Sequence, residues 1–100
     1  MSALGSIAFS GLQAAQTRLA VSAHNVANMD TPGQAAQRVR EVAAGDLGGV
    51  STQVVRASGE GVSLEREALE QITASAACRA NVFVLRMAQA TAGSVLDLLA

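Results

Sequence analysis

The 100-residue chain has no lysine, tryptophan or tyrosine, and only one cysteine, one proline and one histidine. Each shortage excludes something. The seven basic residues are all arginine, scattered from Arg18 to Arg86 against eight acids, and the net charge is −1. A phosphate-backbone partner calls for clustered cations and usually for stacking aromatics. With Phe9 and Phe83 the only aromatic residues, nucleic acid is not an expected partner. The lone Cys78 rules out an intrachain disulfide and, with the lone His24, supplies no metal set; no cofactor is expected. No uninterrupted apolar run reaches the ~18–20 residues of a membrane span. The first charged side chain is Arg18, so the basic start of a cleavable secretory signal is missing.

Catalytic chemistry is equally thin. Ser22 and His24, with Asp30 nearby, have no triad geometry on a helix and no oxyanion loop beside them. Gly45, Gly48 and Gly49 follow a polar strand and lack the phosphate-loop lysine, so they read as turn residues. Cys78 lies on an apolar row and reads as a small buried hydrophobe. Arg79 and Arg86, seven apart, read as a solvated edge ahead of an interfacial ion pair, since exposed pairs contribute little. The chain is not expected to be an enzyme.

What the sequence does have is helical period. Leu4, Ala8, Leu12, Ala15, Leu19, Ser22 and Val26 recur at three-to-four spacing, with Ile7, Ala14 and Val21 on an adjoining row. This predicts a helix over 3–28, capped by Ser2. Gly5 and Gly11 each weaken it by ~1 kcal/mol relative to alanine, so its first turns depend on a partner surface. With a single charge before Asp30, the helix is expected to be covered over much of its circumference. Asn28 suits the left-handed position past a helix end, Thr31 is pushed towards extended geometry by the proline, and Pro32-Gly33 fits the centre of a type II turn.

Between 36 and 57, the alternation Arg38-Val39-Arg40-Glu41-Val42 and the β-branched run Val50–Arg56 flank a glycine-containing loop. They predict a β-hairpin, which needs a helix or another chain to cover it. Ser58-Gly59-Glu60-Gly61 reads as a connector. A second helix over 63–99 follows, capped by Ser63 and acidic in its first turns. Its apolar rows are Leu64, Ala68, Cys78, Val82, Leu85, Ala92, Leu96, Leu99 and Leu69, Ile72, Ala76, Phe83, Met87, Ala90, Leu98. At ~1.5 Å per residue it is about 50 Å long, too long for a compact globule of this size, whose radius of gyration is ~13 Å. The expected fold is mainly α and elongated. It is one domain of two long antiparallel helices, coiled-coil-like, joined through and capped by a small β-hairpin.

The stretch Ser22–Gly33, SAHNVANMDTPG, resembles the N-terminal signature of the bacterial flagellar axial proteins, S-x-N-N-[IV]-A-N-x-N-T-P-G followed by an aromatic residue and lysine. Ser22, Asn25, Val26, Ala27, Asn28, Thr31, Pro32 and Gly33 match. His24 and Asp30 replace asparagines, and Gln34-Ala35 replace the aromatic–lysine pair. The C-terminal helix is similar to the family's other end, E-A-N-x-x-V-[IL]-x-x-A-x-x-x-x-G-x-L-L-D-L, through Ala80, Asn81, Val84, Leu85, Ala88, Gly93, Leu96, Asp97 and Leu98. Ser75–Arg79 departs from the usual Gln-Arg-Ala-Tyr-Glu, Phe83 stands where lysine is common, and Met87 where threonine is.

The resemblance implies a short, divergent rod-type subunit of the flagellar basal body. Such a subunit is structural and leaves the cytoplasm through the flagellar type III export apparatus without a cleaved signal. It ends in the periplasmic rod, where it assembles with itself and other axial proteins, so a homo-oligomer is expected. Leu12, Leu19, Val26, Ile72, Phe83, Leu85 and Leu96 are the expected helix-pairing and assembly residues. Asn25, Asn28, Thr31, Pro32, Gly33 and Asn81 form the motif and turn, the three asparagines fixing geometry through backbone hydrogen bonds. The alternative is a soluble flagellar accessory or regulatory module that keeps the axial helices without polymerising.

Overall fold

The computed structural model describes residues 2–57 and 61–99. The elements run α1 (Ala3–Ala27), β1 (Gln37–Ala43), β2 (Val50–Arg56) and α2 (Leu64–Leu99). The mainly-α architecture of two long packed helices with a small antiparallel hairpin between them is as expected, and the molecule is elongated at 63 × 25 × 14 Å. Its radius of gyration, 17.2 Å, exceeds the ~13 Å of a compact chain this long. Of the expected connector, Ser58, Gly59 and Glu60 lie outside the described residues.

Both helix starts are capped as the sequence indicates. The Gly5 N–H donates to Ser2 Oγ at 3.0 Å, and the Arg66 N–H to Ser63 Oγ at 3.4 Å. The helices run antiparallel, with Ser22 meeting Glu67, Arg18 meeting Glu70 and Thr73, and Gly11 facing Asn81. The interface is built from small residues. Ala8, Ala15 and Ser22, spaced seven apart on α1, are buried, as are Glu67 and Ala74 on α2. A Cβ at Gly11 would sit 2.6 Å from Asn81 Oδ1, so the missing side chain at 11 makes room for the Asn81 amide. The weakness it brings to an isolated helix is the condition for pairing.

Every buried apolar residue among those described is an alanine: Ala8, Ala14, Ala15, Ala36 and Ala74. The large apolar residues are elsewhere. The α2 rows beginning at Leu64 and Leu69 do not form a continuous seam against α1: Cys78, Val82 and Leu85 are half-buried, but Leu64, Leu69, Met87, Leu98 and Leu99 are exposed. The expected cover over much of the circumference of α1 comes from α2 and the hairpin and stops short of its first turns, where Leu4, Ile7 and Phe9 are exposed. The cause is geometric. A line of alanines and one glycine lets the two helices approach closely, and the bulky residues then have to lie on the outer faces.

The hairpin does not cap the pair but lies along α1. Its open end is held by Asn25. At the turn, the Val50 N–H donates to Ser10 Oγ at 3.1 Å. Seven residues of strand at ~3.3 Å each span about the same length as the α1 stretch between Ser10 and Asn25 at ~1.5 Å each. The adjoining row Ile7, Ala14 and Val21 is thereby explained as the hairpin side of α1. Strand register pairs Val39 with Val54 and Arg40 with Gln53, the latter also joined through side chains at 2.6 Å. Gly49, at φ +90°, lies so close to α1 that a Cβ would be 2.6 Å from Ser10 Oγ.

The exit of α1 differs from expectation at one residue. Asn28 has φ −110° and is not left-handed. Its side-chain Nδ2 donates back to the His24 carbonyl at 2.9 Å, which serves the helix end without a change of hand. The chain then leaves through successive tight turns, Met29 N–H to Val26 O and Thr31 N–H to Asn28 O. The positive φ falls at Gly33, +78°, and the Gln34 N–H closes on the Thr31 carbonyl at 3.3 Å, the type II turn the sequence predicts at Pro32-Gly33.

Although its apolar runs are short, α2 as a whole is long and apolar enough to cross a membrane by length and composition. It holds an 18-residue stretch of mean hydropathy 1.4, none of it buried within the chain.

Candidate functional site

The polar centre of the molecule is the joint where α1, the start of β1 and the start of α2 meet. Helical period puts Arg18, Ser22 and Asn25 of α1 on the sides facing α2 and the hairpin. The turn at Pro32-Gly33 brings Gln37 back alongside Asn25. The Gln37 N–H donates to Asn25 Oδ1 at 2.8 Å, and Asn25 Nδ2 donates to the Gln37 carbonyl at 2.9 Å.

Glu67 closes the joint from α2. It is 2% exposed and among the largest fully buried side chains. Its Oε1 accepts from Asn25 Nδ2 at 3.1 Å and its Oε2 from an Arg38 terminal nitrogen at 3.1 Å, while Arg38 also donates to the Gln37 carbonyl at 3.0 Å. Ser22 Oγ donates to the Glu67 backbone carbonyl at 3.2 Å and accepts from Gln71 Nε2 at 3.1 Å. A buried carboxylate is tolerable only when paired and hydrogen-bonded, and here both oxygens are engaged by different elements. Beside it, Arg18 Nε donates to Glu70 Oε1 and an Arg18 terminal nitrogen to Thr73 Oγ1 at 3.0 Å. Glu41 of the hairpin stands 3.9 Å away. The hydrogen bond to Glu70 raises the Arg18 pKa above its already high value, against a smaller desolvation effect in the other direction. The guanidinium is a permanent cation. The cleft over this joint measures about 150 Å³ and is bordered by Arg18, Asn25, Arg38, Arg66 and Glu67.

These side chains are suited to fastening and poorly suited to reaction. The buried carboxylate has both oxygens occupied, and the Ser22 hydroxyl nearby is itself engaged by the Glu67 carbonyl and Gln71. Among the described residues no three His, Cys, Asp or Glu are grouped to hold a metal ion.

The motif residues named from the sequence divide by role. Asn25 is buried in the joint; Asn28 bonds the His24 carbonyl, and Asn81 Nδ2 donates to the Ala77 carbonyl at 2.8 Å. Thr31, Pro32 and Gly33 form the exposed turn that aims the chain at β1. Of the apolar set, Leu12, Leu19, Val26 and Leu85 are half-buried. Ile72, Phe83 and Leu96 face solvent at 66%, 64% and 67% exposure. The sequence reading missed Glu67 and Arg38, taking the first as a helix-dipole acid and the second as a strand residue. The signal was present: Glu67, Ala74, Asn81 and Ala88 repeat every seven residues as a line of small and polar side chains, matching Ala8, Ala15 and Ser22.

Residues 6–33, which are α1 from its second turn together with the exit turn, match the family model described as flagella basal body rod protein. No curated protein matches the chain significantly.

Proposed function

We propose that this chain, carrying the N-terminal motif of the flagellar basal body rod family over residues 6–33, is a single rod-type domain serving as a structural subunit of that rod. Proteins of that family are structural and not enzymes. The subunit assembles through its two terminal helices with copies of itself and other axial proteins in the periplasmic part of the basal body. It reaches that place through the flagellar export apparatus, uncleaved.

The observation that carries this reading is the inversion of the apolar residues, with alanines inside and large side chains outside. Burying a large apolar side chain is worth ~1.5–3 kcal/mol, and among the described residues no large apolar side chain is fully buried within the chain. The accessible surface is 6721 Å², against about 5300 Å² for a compact protein of this mass. The excess, about 1400 Å² on one chain, is more than the ~800 Å² each partner contributes to a standard protein–protein interface. By the antiparallel register, α1 begins opposite the region of Ala88, so the last turns of α2 stand clear of it with Val95, Leu96, Leu98 and Leu99 exposed.

The test is incorporation. The tagged chain should co-purify with isolated basal bodies. Leu96→Asp and Leu98→Asp should abolish that while leaving the helical circular-dichroism signal of the free protein unchanged. A chain found only in the cytoplasm, in cells whose basal bodies are complete without it, overturns the reading in favour of a soluble accessory module.

A further inference from the structure

We propose that the face of α2 opposite α1 pairs antiparallel with the same face of a second copy, giving a closed dimer apart from any rod. Glu65, Leu69, Ile72, Ala76, Arg79, Phe83, Arg86 and Ala90 follow each other at alternating steps of four and three, and all are exposed. That is the 3.5-residue repeat of a coiled-coil seam. The hairpin lies on α1, so among the described residues no other element covers this face.

Charge decides the occupant and its direction. The cations Arg79 and Arg86 lie in the C-terminal half of the seam, and Glu65 at its N-terminal end. Parallel pairing would stack each arginine on its own copy. Antiparallel pairing sets Ile72 against Phe83 and brings Glu65 of each copy beside Arg86 of the other. Ala76 then faces Arg79, and its small side chain leaves room for the arginine stem to run outward to solvent. Such an interface is self-complementary and closes on itself after two copies. It therefore yields a species that withholds the seam from an open assembly.

Sedimentation of the full-length protein should give a dimer. Leu69→Asp with Phe83→Asp should weaken it at least tenfold without loss of helix signal, because neither side chain is buried in the monomer. Glu65→Arg or Arg86→Glu alone should also weaken it about tenfold, and the two together should restore it. In a Cys78→Ser background, a short bismaleimide should couple Ala76→Cys, whose copies lie about 4.5 Å apart along the axis, and not Leu69→Cys, about 25 Å apart. Coupling of both cysteines means a parallel pair and overturns the proposal. So does a monomer, which would leave the seam for a different protein, or a double charge variant no tighter than the singles. The rod reading is tested separately: a monomer found in basal bodies sinks the dimer alone, and a dimer absent from them sinks the rod role alone.

Discussion

The carboxamide of Asn25 pairs with both backbone groups of Gln37, as a neighbouring strand would, at 2.8 and 2.9 Å. One helix residue thereby supplies the edge on which the hairpin starts.

Removing that pairing leaves the Gln37 backbone groups without these partners and Glu67 short of a donor. Asn25→Ala should lower unfolding stability in urea by about 2–3 kcal/mol, from the net worth of the lost bonds and the penalty on buried polar groups left behind. Asn25→Asp should be no better, since it keeps the acceptor but sets a second carboxylate against Glu67. A loss under about 0.5 kcal/mol in both would contradict the role given to Asn25.

Glu67 is the next test. Glu67→Ala takes the anion from Arg38 and should destabilise by about 3 kcal/mol, the range for breaking a buried ion pair from one side. Replacing both residues with apolar ones of similar size, Glu67→Leu with Arg38→Met, should recover most of that. A double variant as weak as the single one would show that the hydrogen bonds, and not the uncompensated charge, set the cost.

Gly11 and Asn81 form a compensating pair. Alanine at 11 gains ~1 kcal/mol in helix propensity but must displace an amide bonded to the Ala77 carbonyl. Overpacking of this kind costs about 1–3 kcal/mol. Gly11→Ala should therefore melt lower than wild type, whereas in an Asn81→Ala background the same change should raise the melting temperature. Equal shifts in the two backgrounds would place the side chains too far apart to couple.

At the α1 exit, Gly33 and Asn28 should respond differently. Gly33→Val meets a φ of +78° and should cost about 1–2 kcal/mol for a branched residue held left-handed. Asn28→Ala loses only an exposed cap, and should cost about 0.5–1 kcal/mol; Asn28→Gly should give no gain, because its φ is negative. Thermal unfolding of the three variants checks the order.

The two helices, both N-caps and the hairpin were legible because each is a local pattern: a three-to-four spacing, a serine before it, and two β-branched runs around glycines. The inner face of α2 was misread because apolar size was taken to mark it. Where helices approach over alanine and glycine, volume excludes leucine and phenylalanine from the contact, so a seven-residue line of small residues was the better guide. Asn28 was misread for a related reason. Its residue type permits a left-handed conformation, but its side chain had a nearer use at the His24 carbonyl. Glu67 was obscured because an acid in a first turn already has a sufficient local explanation, and its partners lie 29 and 42 residues away in sequence.

That separation has a consequence in time. A chain emerging N-terminus first presents Asn25, Gln37 and Arg38 well before Glu67, so the strand pairing can form early while the fastening of all three elements waits for the second helix. Until then Asn25 and Arg38 lack the carboxylate that ties both to the second helix. A fragment ending before Ser63 should accordingly keep partial amide protection at Gln37, through Asn25, and gain full protection only once the second helix is present; equal protection in the fragment and the full chain would contradict this order.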